Sequence, residues 1–184
     1  MDRRTYLRGV VAGVAVLAGC AGRGSERTDA ESTANRPMSG SDASPTTGQS
    51  TIHEYYETTT VRALTADGET LGTVTAAIAD TPELRYLGLS DTEHLPDDRG
   101  MLFVFESIDD RSFVMRRMDF GIDIVYADGE GRITTIHHAP APDHGDGNDQ
   151  RYPGRGQYVL EVTYGWTTDR GVETGDRLAF ELPG

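Results

Sequence analysis

From about Tyr55 to Gly184 the chain is a succession of short β-forming runs cut by turns rich in glycine and aspartate. Thr59–Leu64 and Leu71–Ile78 flank Asp67-Gly68, a dipeptide that suits a tight turn, so the two runs predict a hairpin. Met101–Phe105 is a continuous apolar run after a glycine, the pattern of a buried strand. Ser112–Met115 and Ile122–Tyr126 follow closely, and Asp128–Gly131 turns into Arg132–His137. Beyond a polar loop, Tyr158–Thr163 and Arg177–Leu182 complete the set. Only Thr81–Leu87, with a capping threonine, a proline at the first helical position and Gly88 at its end, carries a clear helix signature. Seven or eight short strands with one or two short helices predict a mainly β domain over 53–184, a sandwich or a barrel.

The first fifty residues read differently. Arg3-Arg4-Thr5-Tyr6-Leu7-Arg8 precedes an uncharged apolar run from Gly9 to Gly19. Eleven residues rising ~1.5 Å each cover about half of a ~30 Å hydrocarbon core, so the run predicts a signal segment over 1–19 and not a spanning helix. The twin arginine resembles a signal for export of folded protein. Leu17-Ala18-Gly19-Cys20 resembles a lipoprotein box, in which cleavage before Cys20 frees its thiol for lipid attachment. Two acyl chains there would hold the protein on the outer face of the cell membrane. Residues 20–52 are rich in Ser, Thr, Gly and Pro, with too few apolar side chains to offset the entropy of ordering, and predict a disordered tether.

Charge excludes one class of partner. The chain carries 17 basic and 30 acidic residues, a net charge of −13, and every basic residue is arginine. A nucleic-acid binder needs a basic stripe to neutralise phosphates, so no nucleic-acid partner is expected. Acid excess without lysine resembles haloarchaeal proteins, whose hydrated carboxylates keep a surface soluble in concentrated salt. With a single cysteine there is no internal disulfide, and its place in the lipoprotein box leaves no cysteine nucleophile in the mature domain.

Five stretches, in order, resemble the DUF192 family: Thr81–Leu89, Arg99–Phe105, Phe113–Met115, Ile122–Asp128 and Tyr158–Val162, the last continuing to Gly165 and to Gly175-Asp176. The resemblance spans roughly Leu71 to Phe180. It implies a mainly β domain of sandwich type and a family without an assigned activity. The chain departs from the family pattern in three places. Arg116-Arg117-Met118 follows Met115 where Lys-Asn-Thr is usual, Gly121 replaces the proline before the next strand, and Ala141–Pro153 lacks the cysteines that many members carry there. A metal or redox role resting on those cysteines is therefore absent.

Several residues are candidates for a site. Arg85, Met115 and Asp123 lie in the resembling stretches and are candidate pocket residues, with Arg85 expected to reach Glu161 or Asp123. Strand alternation sets Asp123 opposite Ile122 and Ile124, where an acid faces solvent, lines a pocket or pairs with an arginine. Asp123 and Glu161 are also the candidate general acid and base of an enzyme. His137, His144 and Asp143 are candidate metal ligands; the adjacent His137 and His138 must point to opposite faces, and the calcium-loop spacing from Asp143 fails at Gly145 and Gly147. Trp166 after Gly165 is expected to cap an edge of the fold. No nucleophile elbow, phosphate loop or dinucleotide fingerprint occurs, and no cofactor is expected. The leading expectation is a lipid-anchored, non-catalytic binding or accessory module for a small ligand or an envelope protein. The alternative is a hydrolase or lyase that acts on envelope carbohydrate through Asp123 and Glu161.

Overall fold

The computed structural model describes residues 55–184, apart from Asp91 and Gly145. The expected signal segment, Cys20 and the tether lie outside the described residues.

The hairpin forms as its turn chemistry directs. β1 (Thr58–Leu64) and β2 (Thr70–Ala79) pair antiparallel with Val61 opposite Val74. Gly68 turns the chain at φ 88°, a conformation that costs glycine little. β2 runs into α1 (Pro82–Leu87), whose first turn is capped by Thr81 Oγ1 accepting from the Leu84 N–H at 3.3 Å. The helix is a crossover, so β3 (Arg99–Val114) returns parallel to β2, with Ala77 beside Met101.

The sequence predicts separate strands at Met101–Phe105 and Ser112–Met115; the structure joins them. β3 is one strand of 16 residues, irregular between Val104 and Asp109. Its partner β6 (Arg151–Thr163) likewise begins seven residues before the predicted Tyr158. The outer halves of the two strands pair from Asp109↔Gly156 to Val114↔Arg151 and form an arm. β4 (Ile122–Ala127) and β5 (Ile133–Ala139) follow, then α2 (Trp166–Arg170) and the three-residue β7 (Arg177–Ala179).

All seven strands among the described residues belong to one sheet in the order β5-β4-β6-β3-β2-β1-β7. The sheet curls until its two edges touch: Arg132 bridges Arg177, and the Leu178 N–H donates to Gly131 O at 2.8 Å. The mainly β expectation holds, with seven strands and two short helices. Of the two forms left open, the structure takes the barrel-like one, a half-barrel, in place of two stacked sheets.

Each face of the sheet buries its own core. Alternation along every strand sends Val61, Val74, Leu102, Val125, Leu160 and Leu178 to one face, which draws on all seven strands and is capped by Trp166. Trp166, expected at an edge of the fold, is 2% exposed and packs instead over the core of this face. The intervening residues, among them Ala77, Met101, Phe103, Ile124, Tyr126 and Val159, point to the other face. That second face is covered by α1, the segment after it and the segment from Met115 to Met118. It is the face that holds the pocket.

Candidate ligand-binding pocket

The second face is not fully covered. Between α1 with its following turn and the base of the β3 arm lies a cavity of about 420 Å³. Phe103, Phe105 and Phe113 supply aromatic walls, Arg85, Arg111 and Arg116 supply cations, and Glu161 lines the same space. Such a volume falls within the range of small-molecule sites, which typically combine an apolar lining with a few polar groups.

Glu161 is the unusual member. Alternation on β6 places it on the pocket face between Met101 on β3 and Ile124 on β4, both completely buried. Only 3% of Glu161 is exposed. Burial among apolar neighbours raises its carboxyl from 4.5 to about 8, so near neutral pH it is protonated and can donate a hydrogen bond. No hydrogen bond or ion pair from another described residue reaches it.

The arginines are held by backbone oxygens and rings. Arg85 Nη1 donates to Val104 O at 2.8 Å and to Asp80 O. The expected reach of Arg85 to Glu161 or Asp123 is therefore corrected: the helix directs the guanidinium along the β3 backbone. Arg111 lies with Cζ 3.5 Å from the centroid of Phe105, donating through Nε to Gly156 O and through Nη2 to Ser107 O. Burial lowers the pKa of Arg111; Asp109 opposes that shift, and the neighbouring Arg85 adds to it. Arg116 stacks on Tyr86 with Cζ 3.9 Å from the ring centroid, and donates to Ser90 Oγ and Tyr86 O.

Behind the wall the aromatic packing continues. Phe103 and Phe113 meet edge to face with centroids 4.8 Å apart, and Phe113 meets Tyr126 at 5.8 Å. The Tyr126 hydroxyl donates to Tyr152 O at 2.5 Å, and burial holds its phenol protonated far above the ordinary range. These contacts fix the arm against the sheet and so fix the pocket's shape.

Asp123 is not in the pocket. It pairs with Val162 in register, whereas Glu161 pairs with Ile124, so the two acids project from opposite faces of the sheet. This corrects Asp123 as a pocket residue and the two acids as an acid and base couple. Asp123 is fully buried, and four donors converge on it: the Gly165 and Thr167 N–H groups, the Thr167 hydroxyl and His138 Nδ1. It ties α2 to β4 and holds Trp166 over the first core. Met115 is fully buried as well, so it packs beneath the pocket instead of lining it; its neighbours Val114 and Arg116 take the lining positions.

The histidines divide as alternation requires. His138 turns to Asp123, while His137 donates from Nε2 to Pro153 O at 2.7 Å and lies against Tyr126 and Tyr152. Asp143 and His144 are exposed in the loop beyond. Among the described residues no three His, Cys, Asp or Glu side chains gather as a metal centre needs, which leaves His137, His144 and Asp143 without a shared site.

Sequence reasoning missed Arg111, Arg116, Tyr86 and Phe105 as pocket residues. A signal for two of them existed. Had Met101–Val114 been read as one strand, alternation would have set Arg111 on the face of Phe103, Phe105 and Phe113.

Comparison with known proteins agrees with this architecture. A model of the DUF192 family, described as an uncharacterized ACR, matches residues 62–180. No curated protein matches the chain. A crystal structure of a proposed transcription regulator from Sinorhizobium meliloti 1021 is similar at 30% identity and a TM-score of 0.62, over 68% of this chain and 95% of that one. A protein of unknown function from Novosphingobium aromaticivorans DSM 12444 shares the fold at 22% identity and a TM-score of 0.59, over 70% of this chain and 91% of that one.

Proposed function

The chain belongs to the DUF192 family, and from that premise we propose that its folded domain is a non-catalytic binding module whose pocket, between α1 and the β3 arm, takes a small ligand. The observation that carries this reading is Glu161. A carboxyl held almost out of water without a partner costs stability, and a folded protein tolerates such a group where a ligand uses it. The hydrolase or lyase alternative draws no support from the geometry, because its two acids stand on opposite faces of the sheet. The role suggested for the Sinorhizobium meliloti neighbour is not adopted, since a net charge of −13 opposes DNA.

Saturating ligand at 100 times its dissociation constant adds about 2.7 kcal/mol to the folded state. The test is a thermal-shift screen of the full chain in molar salt against amino acids, organic acids, oligosaccharides and nucleotides. A stabilising compound should lose its effect in Glu161→Leu or Arg111→Ala while Asp123→Asn leaves its affinity unchanged. A compound whose affinity depends on Asp123 and not on Glu161 would place the site on the wrong face.

The proposal includes where the module works. Export through the twin-arginine signal and lipid attachment at Cys20 place it on the outer face of the cell membrane, with residues 20–52 as a tether. The support is the Leu17-Ala18-Gly19-Cys20 box directly after the apolar run. Cys20→Ser should move the protein from the membrane fraction to the soluble one; continued membrane association would remove the anchor from the reading.

A further inference from the structure

Charge gives the pocket a chemical preference. Arg85, Arg111 and Arg116 all line it in a protein whose net charge is −13. A guanidinium has five N–H donors, and each of these three commits two hydrogen bonds to a carbonyl or hydroxyl oxygen. No described carboxylate forms an ion pair with any of them. Two acids line the space. Asp110 is taken by Arg155 at 3.1 Å, and Glu161 is protonated near neutral pH. Asp109 lies near Arg111 but outside the cavity. The lining therefore presents fixed positive charge beside Phe103, Phe105 and Phe113, with one neutral acid among them.

We infer that the pocket selects a small organic carboxylate with a flat apolar body, the carboxylate on the free N–H groups of Arg111 and Arg116, the body against the three phenylalanines, and an acceptor atom bonded to the Glu161 carboxyl. This rests on the pocket being a ligand site and goes further by naming the ligand's charge and shape. A carboxylate matches the planar fork of a guanidinium in two parallel bonds. A doubly charged phosphate would pay more for leaving water, in a site with aromatic walls and a buried acid.

Equilibrium titration of the full chain with 3-phenylpropanoate, its uncharged amide and phenyl phosphate separates the possibilities. The carboxylate should bind at least tenfold tighter than the amide, and Arg111→Gln or Arg116→Gln should bring the ratio close to one. Equal binding of acid and amide would overturn the anion assignment and leave the pocket reading intact. Stronger binding of phenyl phosphate would overturn the carboxylate in favour of phosphate. Binding of none of the three would remove both readings. Raising pH from 7 to 9 should weaken the wild type about tenfold as Glu161 loses its proton among Arg85, Asp110, Arg111, Arg116 and Tyr126, whereas Glu161→Gln, which keeps a neutral donor, should hold its affinity. An unchanged affinity in the wild type would remove Glu161 from the contact.

Discussion

At the scale of single residues, Glu161 makes a prediction that needs no ligand. Its carboxyl titrates near 4.5 in the unfolded chain and is pushed up to about 8 in the fold. Between those values the folded state holds a proton that the unfolded state has released, so this group's contribution to stability falls as pH rises from about 4.5 to 8. Below the lower value the group costs nothing through ionisation; above the upper one the loss is complete. Each pKa unit is worth about 1.4 kcal/mol, so the loss amounts to a few kcal/mol. Glu161→Gln should therefore gain stability relative to wild type across that window in denaturant titrations at pH 5, 7 and 9. A constant difference at all three would show that Glu161 reaches water. How much of this was legible in sequence depends on what each residue needs. Alternation alone correctly turned Asp123 away from its neighbouring isoleucines and His137 away from His138. It could not name Thr167, 44 positions on, as the partner of Asp123, because that contact depends on where α2 lands. A candidate for the pocket and for acid–base chemistry is thus an anchor for a helix.

At the scale of elements, the arm formed by β3 and β6 was the least legible part. Glu106 to Asp110 is polar apart from Ile108, and all five residues are exposed. A stretch that is wet on both sides shows no period-two pattern, so it reads as a connection. Gly154 and Gly156 in the outer part of β6 add to that impression, since glycine weakens a strand. The structure explains Gly154: a Cβ there would lie 2.6 Å from the buried Tyr126 ring, which is fixed by its bond to Tyr152 O. Gly154→Ala should accordingly cost about 1–3 kcal/mol, the usual range for overpacking, measured by urea unfolding. It should also weaken ligand binding, because Tyr126 supports Phe113 in the pocket wall. Unchanged stability would mean that the arm can shift off the ring freely. By contrast α1 and the β1–β2 hairpin were fully legible, because a capping threonine, a proline and Asp67-Gly68 act locally and need no distant partner.

At the scale of the whole molecule, sequence supplied the strand number and the class, while the order of strands came only with the structure. The crossover through α1, which makes β2 and β3 parallel, and the meeting of β5 with β7 are decided by packing two cores on opposite faces of one sheet. Charge is the other whole-molecule property, and it makes its own prediction. A net charge of −13 with arginine as the only basic type leaves the folded surface under self-repulsion at low ionic strength. Screening lengths shorten from about 10 Å at 0.1 M to 3 Å at 1 M salt, so most of that repulsion disappears below 1 M. Further gain in the molar range comes from strengthened apolar burial, which grows with salt concentration. The melting temperature should then rise steeply up to about 0.5 M sodium chloride and more gently beyond, whereas sucrose, which screens nothing, should produce only the gentle part. If sucrose and salt gave the same curve, repulsion would not be limiting and the acidic composition would say nothing about salt. The arginines of the pocket sharpen the test. The Arg111 guanidinium, half-buried against Phe105, is screened less than one in free solvent, so carboxylate binding should survive at salt concentrations that have already flattened the surface term.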